Sequence, residues 1–143
     1  MKSLVVYDSV YGNTKTIAET VAKELDSEAR VVSVSDFKNS NLKEVKLLVV
    51  GSPILGWRPS GKTSAFLSKL ASGSLKGVKA AVFDTRMTLF FHGDAAGKIA
   101  AELVRAGAVI VTDPMGFKVK GKEGPLLQGE VERAAAWARG LKE

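Results

Sequence analysis

Five short apolar runs recur along this chain, and what lies between them is helical or polar. LVVY at 4–7, RVVSV at 30–34, VKLLVVG at 45–51, VKAAVFD at 78–84 and AVIVT at 108–112 all have strand character. The runs at 45–51 and 78–84 are continuous rather than alternating, the pattern of strands buried on both faces. Such strands, separated by helices, build a parallel sheet with helices on either side. The expected fold class is therefore α/β, a doubly wound, five-stranded parallel sheet, with residues 1–143 forming a single domain.

Periodicity places the helices. Between about Asn13 and Leu25, the residues Ile17, Ala18, Val21, Ala22 and Leu25 share one face. A second helix over about 60–71 turns Phe66, Leu67 and Leu70 inward. A third spans about Asp94 to Ala106, with Asp94 as N-cap and Gly107 just past the end. The last starts at Pro125, a favoured first helical position, and buries Leu127, Val131, Ala134, Ala138 and Leu141. Residues 35–44 are polar and read as a loop or short helix. Pro114 interrupts the fifth strand, which resumes at FKV, 117–119.

Composition narrows the chemistry. There is no cysteine, which excludes disulfides, thiolate metal sites and cysteine catalysis. A single histidine, His92, does not make a zinc site, and no metal is expected. No stretch approaches the roughly 20 apolar residues of a membrane span. Asp8 breaks the N-terminal apolar run short of a signal peptide, so a cytoplasmic protein without membrane insertion is expected. The net charge is +6, yet the lysines are scattered and no arginine-rich run or aromatic RNA-binding box is present. Nucleic acid is therefore not an expected partner. An acidic protein, an anionic ligand and a merely solvated basic surface all fit that charge.

In a doubly wound sheet, ligands bind at the carboxyl ends of the strands where the strand order reverses. Three loops matter there, 8–14, 51–60 and 84–93. The first, Asp8-Ser9-Val10-Tyr11-Gly12-Asn13-Thr14, joins a strand to a helix, so unpaired N–H groups and the helix dipole converge on one point suited to a phosphate. Ser9, Asn13 and Thr14 add donors, and Gly12 permits a left-handed backbone. The same residues also suit an ordinary turn with polar caps.

YDSVYGNTKTIAETVAKEL resembles the opening of flavodoxins and flavodoxin-like FMN proteins. Their phosphate loop has the form Ser/Thr-x-(Thr/Tyr)-Gly-Asn-Thr, matched here by Ser9, Tyr11, Gly12, Asn13 and Thr14, with Val10 between them. Element order and length resemble the family over the whole chain, and the fifth strand lacks the long insertion of long-chain members. The resemblance implies strand order 2-1-3-4-5 with non-covalent FMN at the switch point, an arrangement known for flavodoxins rather than read from these residues. It also implies that the protein passes single electrons between redox partners.

By that resemblance, Pro53, Ile54, Leu55, Gly56, Trp57 and Arg58 cover one face of the flavin. A peptide flip at Gly56-Trp57 would favour the one-electron state, and glycine makes it inexpensive. Two positions depart from the family. Leu55 stands where Trp or Met is common, and Trp57 where many members are acidic. Trp57 fits a stacking role or a partly exposed contact, and Arg58 a pairing role or a solvated one. Asp84, Thr85 and Arg86 lie where the family holds the pyrimidine edge. The usual tyrosine is missing there, with Met87, Phe90 and Phe91 as substitutes. Leu89-Phe90-Phe91 offers a partner or dimer patch, and His92 reads as a loop residue. No catalytic acid or base is named. Redox partners with acidic surfaces and a monomer or weak homodimer are expected.

Three rivals stand beside this reading. An FMN-dependent NAD(P)H:quinone-type reductase shares fold and cofactor. Gly56-Trp57-Arg58-Pro59-Ser60-Gly61-Lys62-Thr63 formally fits the nucleotide hydrolase loop G-x-x-x-x-G-K-[ST]. Against that, Pro59 removes a backbone donor, and four residues separate the motif from its strand. A receiver-like signalling domain would need an acidic cluster after the first strand and an Asp ending the third, where Gly51-Ser52 stands.

Overall fold

A computed structural model describes residues 2–55, 58–87, 94–121 and 123–142, with Leu55 and Arg58 described in backbone only. Strands β1 (Ser3–Tyr7), β2 (Arg30–Ser33), β3 (Leu47–Leu55) and β5 (Lys79–Met87) run parallel. The short β4 (Arg58–Pro59) folds back antiparallel on the end of β3. Two pieces, β6 (Val109–Ile110) and β7 (Met115–Val119), both pair with β5. The sheet order is β2-β1-β3-β5-β6, which is 2-1-3-4-5 when β6 and β7 count as one interrupted strand. Helices α1 (Asn13–Leu25), α2 (Gly61–Ser68), α3 (Ala95–Arg105) and α4 (Glu130–Leu141) complete the layers.

The continuous apolar runs arise because consecutive strand residues serve opposite faces. Leu4, Val6, Leu48, Val50, Ala80 and Val82 pack under α2 and α3, meeting Phe66, Leu67, Ile99 and Leu103. Val5, Leu47, Val49, Ala81 and Phe83 pack under α1 and α4, meeting Ile17, Val21, Ala134 and Ala138. Phe83, Phe117 and Trp137 meet edge to face, with centroids 5.8–6.1 Å apart. Gly51 makes room for that cluster, since a Cβ there would lie 2.1 Å from the Phe83 ring.

Several boundaries differ from the sequence expectation. Strand β3 continues to Leu55 and β5 to Met87, because Ser52 and Pro53 pair with Asp84 and Thr85. The first part of the expected 84–93 loop is therefore strand. The last helix starts at Glu130, not Pro125. Residues 125–127 double back on the end of β7, with Lys120 N–H donating to the Pro125 carbonyl (2.8 Å) and Leu127 N–H to that of Lys118 (2.9 Å). The shifted start leaves Val131 exposed and Leu127 half-buried, and brings Glu130 inward. Residues 35–44 contain a 3₁₀ turn, Asn39–Leu42. None of the described helices is long and apolar enough to cross a membrane.

Candidate functional site

In each strand-to-helix unit the helix starts at the carboxyl edge of the sheet, so four N-termini gather there. A helix start presents unpaired N–H groups and a partial positive charge, and an anion satisfies both. Three of the four described starts have a carboxylate of this chain in or beside them, and two of those three, α2 and α3, carry a side-chain cap. At α3, Asp94 accepts from Gly97 N–H (2.8 Å) and Asp84 from Ala96 N–H (2.9 Å). At α4, Glu130 sits in the first turn and accepts from Lys118 N–H (2.6 Å) and from Arg133. At α2, the Ser60 hydroxyl caps Thr63 N–H (3.2 Å) and donates to the Asp8 carboxylate (2.6 Å).

Helix α1 is different. Its cap is Gly12, at φ 91°, with no side-chain cap, as at Gly129 (φ 90°) of α4, but unlike α4 it has no acid in its first turn. The first helical hydrogen bond runs from Thr16 N–H to the Gly12 carbonyl (3.0 Å), so the amides of Asn13, Thr14 and Lys15 precede it. A Cβ on Gly12 would meet no atom within 4 Å, and Val10 and Tyr11 beside it are 52% and 42% exposed. This start is open to an anion from outside, and its donor set suits a phosphate.

The hydroxyls and amide of this loop also hold it in place. Ser9 Oγ accepts from Gly12 N–H (3.0 Å), which leaves its own proton for a ligand. Asn13 Nδ2 donates to the Glu123 carbonyl (3.2 Å), tying α1 to the segment after β7. Gly124, at φ 103°, allows that approach, since a Cβ there would lie 2.7 Å from the Asn13 amide. The Thr14 and Thr85 hydroxyls are 2.9 Å apart and buried, which joins the loop to the end of β5.

Of the residues expected to cover the flavin, half-buried Pro53 and Ile54 lie in β3, and Leu55 pairs in backbone with Arg58. Gly56 and Trp57 lie outside the described residues, as do Leu89, Phe90, Phe91 and His92. Asp84 is fully buried and receives two bonds from Arg86, at 2.7 and 2.5 Å. The hydrogen bonds to Asp84 raise the Arg86 pKa above its ordinary value, against the opposing effect of burial. Arg86 packs over Gly116, where a Cβ would collide with its side chain. Half-buried Met87 pairs with Val119.

The hydrolase-like motif is dismantled by this geometry. Arg58 and Pro59 form strand β4, and Thr63 is fully buried against Ser60 instead of facing a nucleotide. Among the described residues there is no cluster of metal-ligating side chains.

Known proteins agree with this architecture. A family model described as a flavodoxin domain matches residues 4–113. The chain belongs to the flavodoxin family. A flavodoxin of Maridesulfovibrio salexigens is 31% identical over 156 aligned positions, covering 99% of this chain and 97% of that protein. Among solved structures, a flavodoxin from the domain Archaea superposes with TM-score 0.82 at 23% identity, covering 99% of this chain and 96% of that one. Flavodoxin 2 from Bacillus cereus gives TM-score 0.82 at 25% identity, covering 96% and 95%. Flavodoxins bind FMN, transfer electrons and act with redox partner proteins, and this chain is one of them.

Proposed function

We propose that residues 9–14 hold the FMN phosphate, and that the β3–β4 hairpin and the end of β5 flank the flavin. The observation that carries this reading is the start of α1, which among the four described helix starts has neither a side-chain cap nor an acid in its first turn, whereas α2 and α3 are capped by side chains and α4 carries two acids. FMN supplies the redox chemistry when bound. The chain's part is to bind and orient it. Amides 13–15 and the Ser9 hydroxyl face the phosphate, and Thr14, held by Thr85, fixes the first turn of α1. In this reading residues 1–143 act as one domain, a single-electron carrier that is a monomer or weak homodimer. The family matches favour a carrier over a quinone reductase.

The redox partner in this reading presents an acidic face. The chain carries +6, and the charged residues described along two adjoining grooves beside α2 are Lys43, Lys62 and Lys69. Association with such a partner slows as salt rises. The direct test of the site is the spectrum of the purified protein. A yellow protein that releases near-stoichiometric FMN on denaturation is expected, and a colourless protein that takes up no FMN would refute the reading.

A further inference from the structure

Between the phosphate loop and the hairpin lies a buried polar chain. Asp8 directly precedes Ser9, and its N–H donates to the Gly51 carbonyl (3.1 Å), extending the β1–β3 ladder by one bond. Its residue exposure is 9%, with Ser60 at 2% and Ser52 and Thr63 at 0%. Ser60 Oγ has one proton, which goes to Asp8 at 2.6 Å. The Thr63 hydroxyl, 2.8 Å away, must then donate to Ser60. Ser60 N–H donates to Ser52 Oγ (3.1 Å), and the Ser52 proton goes to the Pro53 carbonyl (2.8 Å). Ser60 is thus bonded to the end of β1 on one side and to the base of the hairpin on the other. The start of α2, with its partial positive charge, lies beyond the hydroxyl that the carboxylate accepts from.

From this we infer that Asp8 is a positioning residue for the cofactor. Through Ser60 it holds the β3–β4 hairpin at a fixed spacing from the phosphate loop. The inference rests on the site reading above, since the two loops are taken to grip opposite ends of one FMN. A charge-assisted hydrogen bond out of water is strong and directional, so the hairpin cannot shift against the loop without breaking it. The role differs from that of the phosphate donors. Those act on FMN alone, whereas a misplaced hairpin weakens ring contacts common to FMN and riboflavin.

The experiment measures both flavin affinities for wild type, Asp8→Ala, Ser60→Ala, the double variant and Ser60→Thr, with Tm and the bound-flavin spectrum in parallel. Either alanine variant should lose about tenfold for FMN and for riboflavin alike, leaving their ratio unchanged. The double variant should lose no more than a single one, because both break the same link. Ser60→Thr, which keeps the hydroxyl, should restore affinity and spectrum. A lowered Tm with unchanged affinities and spectrum would reduce the pair to a structural role and overturn the inference, as would a loss confined to FMN. If wild type binds neither flavin, the site reading fails first and the positioning role with it.

Discussion

The starts of α1 and α2 look alike on paper. Each follows a strand and offers glycine, small hydroxyl residues and the beginning of an amphipathic helix, and each fits a known phosphate-loop pattern. In the folded chain they are opposites. The start of α2 is capped by Ser60 and backed by Asp8, whereas the start of α1 has a left-handed glycine, no cap and no acid. A sequence motif can supply donors, but whether a helix start is available depends on what the rest of the chain places there. The same contrast extends to α3, whose first amides are taken by Asp84 and Asp94, and in charge alone to α4, whose uncapped first turn carries Glu130 and Glu132.

If the filled starts are structural, removing one of their carboxylates should damage the fold and not the choice of ligand. Asp84→Ala has the largest expected effect. It removes a buried carboxylate shared by Arg86 and Ala96 N–H, a loss of about 3–5 kcal/mol. Thermal unfolding should show Tm lower by roughly 10 °C. The ratio of FMN to riboflavin affinity should not move in the protein that remains folded. A fully stable Asp84→Ala protein would break the comparison at α3.

The converse applies at α1. Ser9→Ala combined with Thr14→Ala removes the Ser9 hydroxyl beside the open start, where a charge-assisted bond contributes about 1.5–3 kcal/mol, and the Thr14 hydroxyl that ties that start to Thr85. FMN affinity should fall at least tenfold by fluorescence titration, and riboflavin affinity much less. Equal losses for both flavins would place the phosphate elsewhere.

A smaller effect comes from the start of α4. Burial of Glu130 works against its ionised form, but the hydrogen bonds from Arg133 and Lys118 N–H outweigh it and hold the carboxyl below its ordinary 4.5. A carboxylate with a lowered folded pKa adds stability that is complete above the unfolded value and lost as pH falls through the folded one. Arg133 is 40% exposed, so solvent limits the contribution to about 1 kcal/mol or less. Glu130→Gln should therefore be less stable than wild type at pH 7, and the two should converge in denaturant titrations as pH falls through the lowered folded pKa. A gap that persists at low pH would mean that the side chain packs and carries no useful charge.

How much of this was readable in advance follows from the range of each interaction. The core strands and α1 were legible because burial on both faces writes an unbroken apolar run, and burial on one face writes a helical period. The far ends of β3 and β5 were not, because SPIL and TRM carry little pattern of their own and are strand only by pairing, Ser52 and Pro53 with β5, Ile54 and Leu55 with β4, and Thr85 to Met87 with β7. Pro125 suggested a helix start on local grounds, but the backbone of residues 125–127 is engaged by residues 118–120, and the helix waits for Gly129 and Glu130. At the site, the phosphate-loop residues stood out as a contiguous motif. Asp8, Asn13, Thr14 and Asp84 have partners 52, 110, 71 and 12 residues away, Asp84 besides Arg86 two residues on, and no local pattern announces these distant ones.

The smallest expected effect is a null, and it bears most directly on α1 against α2. Lys62 is the lysine of the hydrolase-like motif, and in the structure it is an exposed residue in the first turn of α2. A surface lysine of this kind contributes within about 0.5 kcal/mol, so Lys62→Ala should leave Tm and FMN affinity essentially unchanged. MgATP should not bind the native protein. Pro59 has no N–H to give, Arg58 and Pro59 are held as strand, and the hydroxyl a magnesium ion would need is that of buried Thr63, already donating to Ser60. Asp8 adds a negative charge where a nucleotide phosphate would have to sit. Calorimetric titration with MgATP tests all of these at once. Tight binding that Lys62→Ala abolishes would mean that the start of α2 is open after all, and the distinction between the two helix starts would fall with it.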